Sequence, residues 1–263
     1  MRTSAFLSVT ALTAMMFTTG VAVTMAASNP VRDCVGARGS DRAIGLCTKI
    51  IEAERTDGTS ITAIELSDVY ERRGVAYSRT GRYDAAIADY TRAIEINPNH
   101  VDAYYYRGRT HYRLHSYDRA ITDYTAAIAR DPHRHDAYNS RGLAYRKKNQ
   151  LVRAVEDFSK AIALSPGFAY GFANRALARK ELGQNASALE DINAALKLSP
   201  RDAWAYVLRA EVNEALGRIE DASTDYRTSL DLDPRGYQSQ RALRRLAAES
   251  APRASVVVDE VTE

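Results

Sequence analysis

The histidines are the first residues of this chain whose side chains could do chemistry, because all five lie in one stretch. They are His100, His111, His115, His133 and His135. His111 and His115 are four residues apart, a spacing that places two imidazoles on one face of a helix and can bind a metal ion. However, His111 takes the place that Tyr77 and Tyr145 hold in matching stretches, and His115 falls in a turn. The sequence therefore predicts no metal site.

Arginine and aspartate recur together along the chain. Five arginines are each followed by an aspartate at the same distance: Arg73 and Asp89, Arg107 and Asp123, Arg141 and Asp157, Arg175 and Asp191, and Arg209 and Asp225. A guanidinium group can hold a carboxylate through two parallel hydrogen bonds. The recurrence indicates a ladder of partly buried structural ion pairs, formed within or across repeats. The alternative is that these side chains bind a ligand.

No catalytic motif accompanies these residues. The sequence has no GxSxG, P-loop or HExxH pattern and no dinucleotide-binding glycine pattern. With 36 Lys and Arg against 33 Asp and Glu, the chain is nearly neutral, whereas binding to nucleic-acid phosphates needs a cationic surface. The sequence therefore predicts a protein that is not an enzyme, has no cofactor and binds no nucleic acid.

The elements that must position these residues follow a 34-residue period. Four further positions recur in phase, and in the second copy they are Tyr104, Gly108, Ala120 and Tyr124. Proline closes each copy, at Pro98, Pro132, Pro166, Pro200 and Pro234. Five copies in register predict one extended array rather than separate globular domains.

Each copy predicts two helices joined by a turn. In the second copy we expect a first helix at about Val101 to Leu114 and a second at about Tyr117 to Arg130. The second helix should stop before Pro132, because proline disfavours helical conformation in the residue ahead of it. Gly108 and Ala120 are expected to face each other where the two helices pack.

This pattern resembles the tetratricopeptide repeat. The signature of that family is an aromatic residue, a small residue, an alanine, a large apolar residue and a closing proline at a 34-residue period. The resemblance covers residues 65–234 as five repeats. It implies an all-α fold, a right-handed α-solenoid of helix-turn-helix units, that binds protein partners and carries out no chemistry.

The resemblance also implies where a partner would bind. In this family the first helices line a concave groove, at five positions of each repeat. The groove residues that we expect to contact a partner are Tyr105, Arg109, Tyr112, Arg113, Asn139, Arg146, Lys147, Tyr170, Lys180 and Trp204. Tyrosine and arginine are common binding hot spots, so an extended or acidic protein segment is the expected ligand. The alternative is that the cations only complement the negative C-terminal ends of the first helices.

One known binding mode of the family is not expected. Cytosolic co-chaperones of this family hold a carboxylate with a lysine and an asparagine, and Glu71 and Val75 stand at those positions here.

The N-terminus predicts export. Residues 1–27 contain Arg2, an uncharged stretch from Ala5 to Val23, and small residues at Ala26 and Ala27, which is typical of a cleaved secretory signal peptide. The alternative is an uncleaved anchor helix, since the stretch approaches the ~20 residues of a bilayer span. We therefore expect an exported bacterial member of the family, periplasmic or secreted, without membrane insertion once the signal is removed.

Export gives the two cysteines a role. Cys34 and Cys47 are the only cysteines, and in an oxidising compartment such a pair predicts a disulfide. It would tether a strand-like segment to the stretch from Asp41 to Ile51, which is similar to the second helix of a degenerate half repeat. Residues 28–64 are thus expected to form an N-terminal cap, 235–248 a C-terminal capping helix, and 249–263 a disordered tail.

The sequence as a whole favours a non-enzymatic scaffold or adaptor of the periplasm or cell envelope that binds a protein segment in its groove. The alternative is an accessory subunit of a cell-wall or membrane enzyme complex, contacting the enzyme through the convex face or the tail.

Overall fold

The computed structural model describes residues 29–58 and 61–250, which form 13 α-helices and no strand. The predicted all-α solenoid is confirmed. The predicted signal peptide and residues 251–263 of the predicted tail lie outside the described residues.

Ten of the helices form five consecutive pairs, and each pair is one repeat. The earlier member of a pair is called the first helix and the later member the second helix. The pairs are α3 (Ala63–Arg79) and α4 (Tyr83–Ile96), α5 (Val101–Arg113) and α6 (Tyr117–Arg130), α7 (His135–Lys147) and α8 (Leu151–Leu164), α9 (Ala169–Glu181) and α10 (Asn185–Leu198), and α11 (Ala203–Ala215) and α12 (Ile219–Leu232). Each helix packs mainly on the other member of its pair and next on the adjacent helix of the neighbouring repeat or cap.

The turn inside each repeat depends on one residue in the left-handed conformation. These residues have φ angles between 57° and 78° and are Gly81, His115, Asn149, Gly183 and Gly217. Glycine and asparagine adopt this conformation at low cost, which is why they commonly end helices.

The first helices lie on the inner side of the array. Consecutive first helices, such as α3 and α5 or α9 and α11, contact one another directly, and among the described residues consecutive second helices do so far less. A stack whose first helices are closer together than its second helices curves toward the first helices. The first helices therefore line the concave surface.

The recurring glycine lets the two helices of a repeat approach. A methyl group added to Gly108 would lie 2.9 Å from the ring of Tyr124, and one added to Gly142 would lie 2.7 Å from the ring of Phe158. The expectation that Gly108 faces Ala120 is thus corrected. The glycine faces the large aromatic residue four positions beyond the alanine, because the ring is long enough to reach across the helix pair.

The N-terminal cap consists of helices α1 (Pro30–Val35) and α2 (Ser40–Asp57). The segment expected to be strand-like is helical. The Asn29 side chain caps the helix by accepting a hydrogen bond from the Arg32 amide, and Pro30 occupies the first turn. Proline is tolerated there because the backbone nitrogens of the first turn have no hydrogen-bond acceptor within the helix. A disulfide joins Cys34 in α1 to Cys47 in α2, and both residues are fully buried.

Two boundaries differ from the expected ones. Helix α2 runs to Asp57 and ends at Gly58, which has a left-handed φ of 59°. At the other end, α13 (Tyr237–Ser250) takes in the first two residues of the predicted tail and packs on α12, burying Ala242 and Leu246. Within the described ranges no helix has the length and apolar character to cross a membrane.

Two glycines test the packing argument with the same substitution. Gly108→Ala should lower the free energy of unfolding by about 1–3 kcal/mol, since the methyl group collides with Tyr124. Gly45→Ala in α2 meets nothing within 4 Å and should raise it by about 0.5–1 kcal/mol, because alanine favours a helix interior over glycine. Urea unfolding followed by circular dichroism measures both. Equal shifts of the same sign would contradict the close contact.

Candidate partner-binding groove

One arginine ties each repeat together. In all five repeats the Nε and Nη2 atoms of the arginine donate hydrogen bonds to the two carboxylate oxygens of the aspartate 16 residues later, over 2.6–3.0 Å. The five aspartates are buried. Each first helix is therefore joined to the second helix of its own repeat by a two-pronged ion pair.

The remaining nitrogen of the same arginine reaches the preceding repeat. Nη1 donates to a side-chain oxygen of the preceding second helix over 2.9–3.1 Å; the acceptors are Thr48, Thr91, Thr125, Ser159 and Asn193. These acceptors were not predicted from the sequence. Four of them lie 16 residues before their arginine, which is the same distance that separates each arginine from the aspartate after it, so a search in both directions would have found them.

The recurring aromatic residue covers the arginine. Each guanidinium carbon lies 5.3–5.8 Å from the centre of the ring three residues earlier, which belongs to Tyr70, Tyr104, Tyr138, Phe172 or Tyr206. Burial opposes the charge on Arg141, but its hydrogen bonds and charge attraction to Asp157, with contributions from Tyr145 and Tyr138, together outweigh burial and raise the pKa of Arg141 above its ordinary value. These ten ion-pair residues are structural parts of the array.

Two of the predicted groove residues belong to the wall of the groove. Tyr105 is 8% exposed, packs edge-on against Tyr106, and lies under the guanidinium of Arg134 at 4.3 Å. Asn139 is 9% exposed and accepts a hydrogen bond from Asn174 over 2.9 Å. Neither side chain is available to a partner, because residues of the neighbouring repeat cover both of them.

Two of the predicted cations are already paired. Arg146 donates to Glu181 over 2.7 Å, and Lys180 forms an ion pair with Glu211. Each pair joins one first helix to the next. For Arg146 and Lys180 the partner is a carboxylate of the chain itself, so their charge is largely compensated within the groove.

Three other cations surround a small pocket between the first two repeats. Arg79, Arg109 and Arg113 line it together with Val75, Ser78, Tyr90 and Tyr106, and its volume is about 140 Å³. We call it the arginine pocket. No salt bridge among the described residues involves any of the three arginines.

The acidic edge of the groove differs from this pocket. Asp102 and Asp136 lie at the N-terminal ends of α5 and α7, and Arg134 forms ion pairs with both, at 2.6 and 3.0 Å. These two carboxylates share one guanidinium, whereas no carboxylate among the described residues forms a salt bridge with the arginines of the pocket. The unpaired positive charge of the first two repeats therefore lies at the arginine pocket.

Repeats four and five present apolar groups at the groove. The position that is acidic in the first three repeats is occupied by Tyr170, which is 63% exposed, and by Trp204, which is 42% exposed. Lys147 is also exposed. Tyr112 is half-buried and packs edge-on against Tyr117 at 5.4 Å.

Two of the histidines, His111 and His115, have contacts or burial within the array. His111 is buried, and burial lowers its pKa from the ordinary value. The Nδ1 atom of His115 lies 2.8 Å from the hydroxyl of Tyr117. The part of the chain that the structure describes contains no group of three or more histidine, cysteine or acidic residues placed to hold a metal ion.

Glu71, on the first helix of the first repeat, carries a shifted carboxyl group. Burial raises its pKa to about 7, the negative charges of Asp102 and Asp68 add to the rise, and Arg72 and Arg134 oppose it. The carboxyl is therefore partly protonated near neutral pH.

The ion-pair ladder yields one prediction. Arg141→Ala leaves the buried carboxylate of Asp157 without its partner and should lower stability by about 3 kcal/mol. Arg92→Ala is the matched control, because Arg92 pairs with Glu95 at a site where both side chains are 56% exposed, and its loss should change stability by less than about 1 kcal/mol. Thermal melting compares the two. An unchanged melting temperature for Arg141→Ala would count against the ladder.

Glu71 yields a pH-dependent prediction. Because the folded state holds the proton up to about pH 7 and the unfolded chain only to about 4.5, stability falls as pH rises through this window. Glu71→Gln removes the loss, so it should be more stable than the wild type at pH 8, by up to about 3 kcal/mol, and similar at pH 4. Urea unfolding at both values measures this. The exposed Glu190→Gln should show no such difference, and a Glu71→Gln effect that is equal at both pH values would refute the assignment.

Comparisons with known proteins agree with this architecture. A family model described as "TPR repeat" matches residues 74–115, and one described as "Tetratricopeptide repeat" matches residues 107–167 and 174–237. No curated protein matches the chain.

Several solved structures share the fold. YrrB, described as a TPR protein with an unusual peptide-binding site, superposes with a TM-score of 0.60 at 19% identity, over 75% of this chain and 97% of its own. MamA from Desulfovibrio magneticus RS-1 gives a TM-score of 0.60 at 18% identity, over 65% and 97%. TTC0263 from Thermus thermophilus gives 0.55 at 25% identity, over 69% and 99%. The two family models, together with the repeated helix pairs, establish that the chain belongs to the tetratricopeptide-repeat family.

Proposed function

We propose that this protein is a non-enzymatic scaffold or adaptor of the periplasm or cell envelope that binds an extended or acidic protein segment in its concave groove. Proteins of this repeat family bind protein or peptide partners, and YrrB is described as having a peptide-binding site. The location and the nature of the segment are our inference.

The observation that carries the proposal is the exposure of recognition-type side chains on the inner face of the array. Tyr170 and Trp204 are large aromatic residues that stay exposed there, although burial of such surface is favourable. Lys147 lies on the same face. Aromatic and cationic side chains of this kind dominate the energetics of protein interfaces.

The charge balance supports an acidic ligand. Within the groove Asp102 and Asp136 share an ion pair with Arg134, while Arg109 and Arg113 form no salt bridge with a carboxylate among the described residues. A segment with negative charges would complete the missing pairs and would be attracted to the groove over a distance of about a Debye length.

The binding test compares two triple variants, each of which changes one exposed lysine and two exposed apolar residues. The groove variant combines Lys147→Glu, Tyr170→Ala and Trp204→Ala. The control combines Lys160→Glu, Val152→Ala and Ile219→Ala, which change one exposed lysine and two exposed apolar residues on second helices. The full-length protein, expressed with its leader, serves as bait in an envelope fraction, and the affinity of the captured partner is then measured with purified components.

We expect the groove variant to bind at least tenfold more weakly and the control to bind like the wild type. The reverse result would refute groove binding and would favour the alternative, in which the protein is an accessory subunit of a cell-wall or membrane enzyme complex that it contacts through the convex face or the tail. Circular dichroism of both variants verifies that they are folded.

The location is tested by fractionation of cells that express the full sequence. We expect a mature protein without residues 1–27 in the periplasm or the medium. An intact chain in the membrane fraction would instead support the uncleaved anchor helix.

A further inference from the structure

We propose that the arginine pocket is a subsite for a single oxyanion group, a carboxylate or a phosphate, carried by the bound segment. The inference rests on the proposed groove function and adds to it the chemical group that the first two repeats select.

The arginine pocket is lined by three positive side chains and, among the described residues, by no negative one. Arg79 and Arg113 come from corresponding positions of two neighbouring first helices, and Arg109 lies one helical turn before Arg113. All three border a pocket of about 140 Å³, and none of the described residues that line it is acidic. Like charges that converge on one small space repel each other. An anion in the pocket would turn this repulsion into attraction.

Other arginines of the first helices are paired with carboxylates. Arg107 and Arg141 each hold a buried aspartate, and Arg146 holds Glu181. Burial raises the pKa values of Tyr90 and Tyr106, which line the pocket, and the negative charge of the nearby Glu71 adds to the rise. However, Glu71 forms no salt bridge with the three pocket arginines among the described residues, and its own pKa of about 7 leaves it only partly charged near neutral pH.

Two of the three arginines, Arg109 and Arg113, have contacts within the protein that position them. The guanidinium of Arg109 lies 5.7 Å from the ring centres of both Tyr105 and Tyr106. Arg113 donates a hydrogen bond to the carbonyl of Ser78 over 3.4 Å. Side chains that are held before the ligand arrives lose less conformational entropy on binding.

The pocket also offers hydroxyl groups and limits the size of its ligand. The side-chain oxygens of Ser78 and Thr110 lie 3.3 Å apart, and Ser78 lines the pocket together with Tyr90. A volume of about 140 Å³ is well below the ~300–1,000 Å³ of pockets that enclose a whole small-molecule ligand. It accommodates the head group of one acidic side chain or a phosphate, whereas a whole peptide segment must lie in the groove outside it.

The class of ligand follows from guanidinium chemistry. The planar, permanently charged guanidinium presents paired N–H donors that match the oxygen atoms of carboxylates and phosphates. Val75 lines the pocket, but it and Glu71 stand at the positions where co-chaperones of the family place an asparagine and a lysine. The cationic side chains of this subsite therefore come from other positions of the repeat, those of Arg79, Arg109 and Arg113.

The experiment measures anion binding to the purified full-length protein and uses two probes. Inorganic phosphate is one, and an acetylated and amidated hexaglutamate peptide is the other, each titrated at constant ionic strength against chloride. The pocket variant is Arg79→Gln with Arg113→Gln. The control is Arg119→Gln with Arg227→Gln, since both arginines are exposed on second helices. Isothermal titration calorimetry gives the dissociation constants, and thermal melting gives stability in each anion.

We expect at least one probe to bind and to raise the melting temperature of the wild type and the control, and we expect at least tenfold weaker binding to the pocket variant. Binding of the peptide alone identifies a carboxylate subsite, and binding of phosphate alone identifies a phosphate subsite. If neither probe binds better than chloride, or if the pocket variant binds as well as the wild type, the proposal is overturned.

Failure of the anion subsite can be distinguished from failure of the proposed groove function, because the two variants change different residues. The groove variant changes residues in repeats three to five, and the pocket variant changes residues in repeats one and two. A pocket variant that loses no affinity for the partner, beside a groove variant that does, would refute the subsite and leave the groove function standing. Loss of anion binding in the pocket variant alone supports the subsite even if the groove variant still binds its partner.

Discussion

The array depends on one arginine that makes three connections at once. Arg141 lies in α7. Two of its nitrogens donate hydrogen bonds to the buried carboxylate of Asp157 in α8, and its third nitrogen donates one to the hydroxyl of Thr125 in α6. A hydrophobic contact holds two helices together without fixing their register, whereas these directional hydrogen bonds allow only one relative position. The same bridge recurs in all five repeats, so each repeat is aligned to the one before it, and the shape of the concave surface follows from this repetition.

Around this bridge the packing is built from one small and one large residue. The aspartates are buried, which is tolerable only because every carboxylate oxygen meets a guanidinium. Glycine at Gly108 lets the ring of Tyr124 lie directly on the backbone of α5. The aromatic residue at Tyr104 then covers the guanidinium of Arg107. The aromatic rings thus shield the ion pairs from water, and no repeat could bury these groups without its neighbours.

The regular frame carries an irregular inner surface. Toward the C-terminal end, Arg146 and Lys180 are paired with acidic residues of the following repeat, and exposed aromatic residues replace the acidic position. Toward the N-terminal end, the cations around the arginine pocket have no such partners among the described residues. A segment lying along this groove would therefore meet a cationic end and an aromatic end, and such an asymmetric surface favours one direction of binding over the other.

The sequence alone determined the repeat, its helices and the recurrence of arginine and aspartate, because these are periodic and each depends on neighbours at fixed distances along the chain. The turn residues followed for the same reason. The sequence did not reveal which groove residues are free, since Arg146 and Arg113 look alike in sequence and differ only because Glu181 lies beside the first and no carboxylate of the described chain pairs with the second. Nor did it show that Tyr105 is buried. Tertiary structure decided these points, because exposure and charge compensation depend on contacts with residues of the neighbouring repeat, and those positions are where the repeats differ.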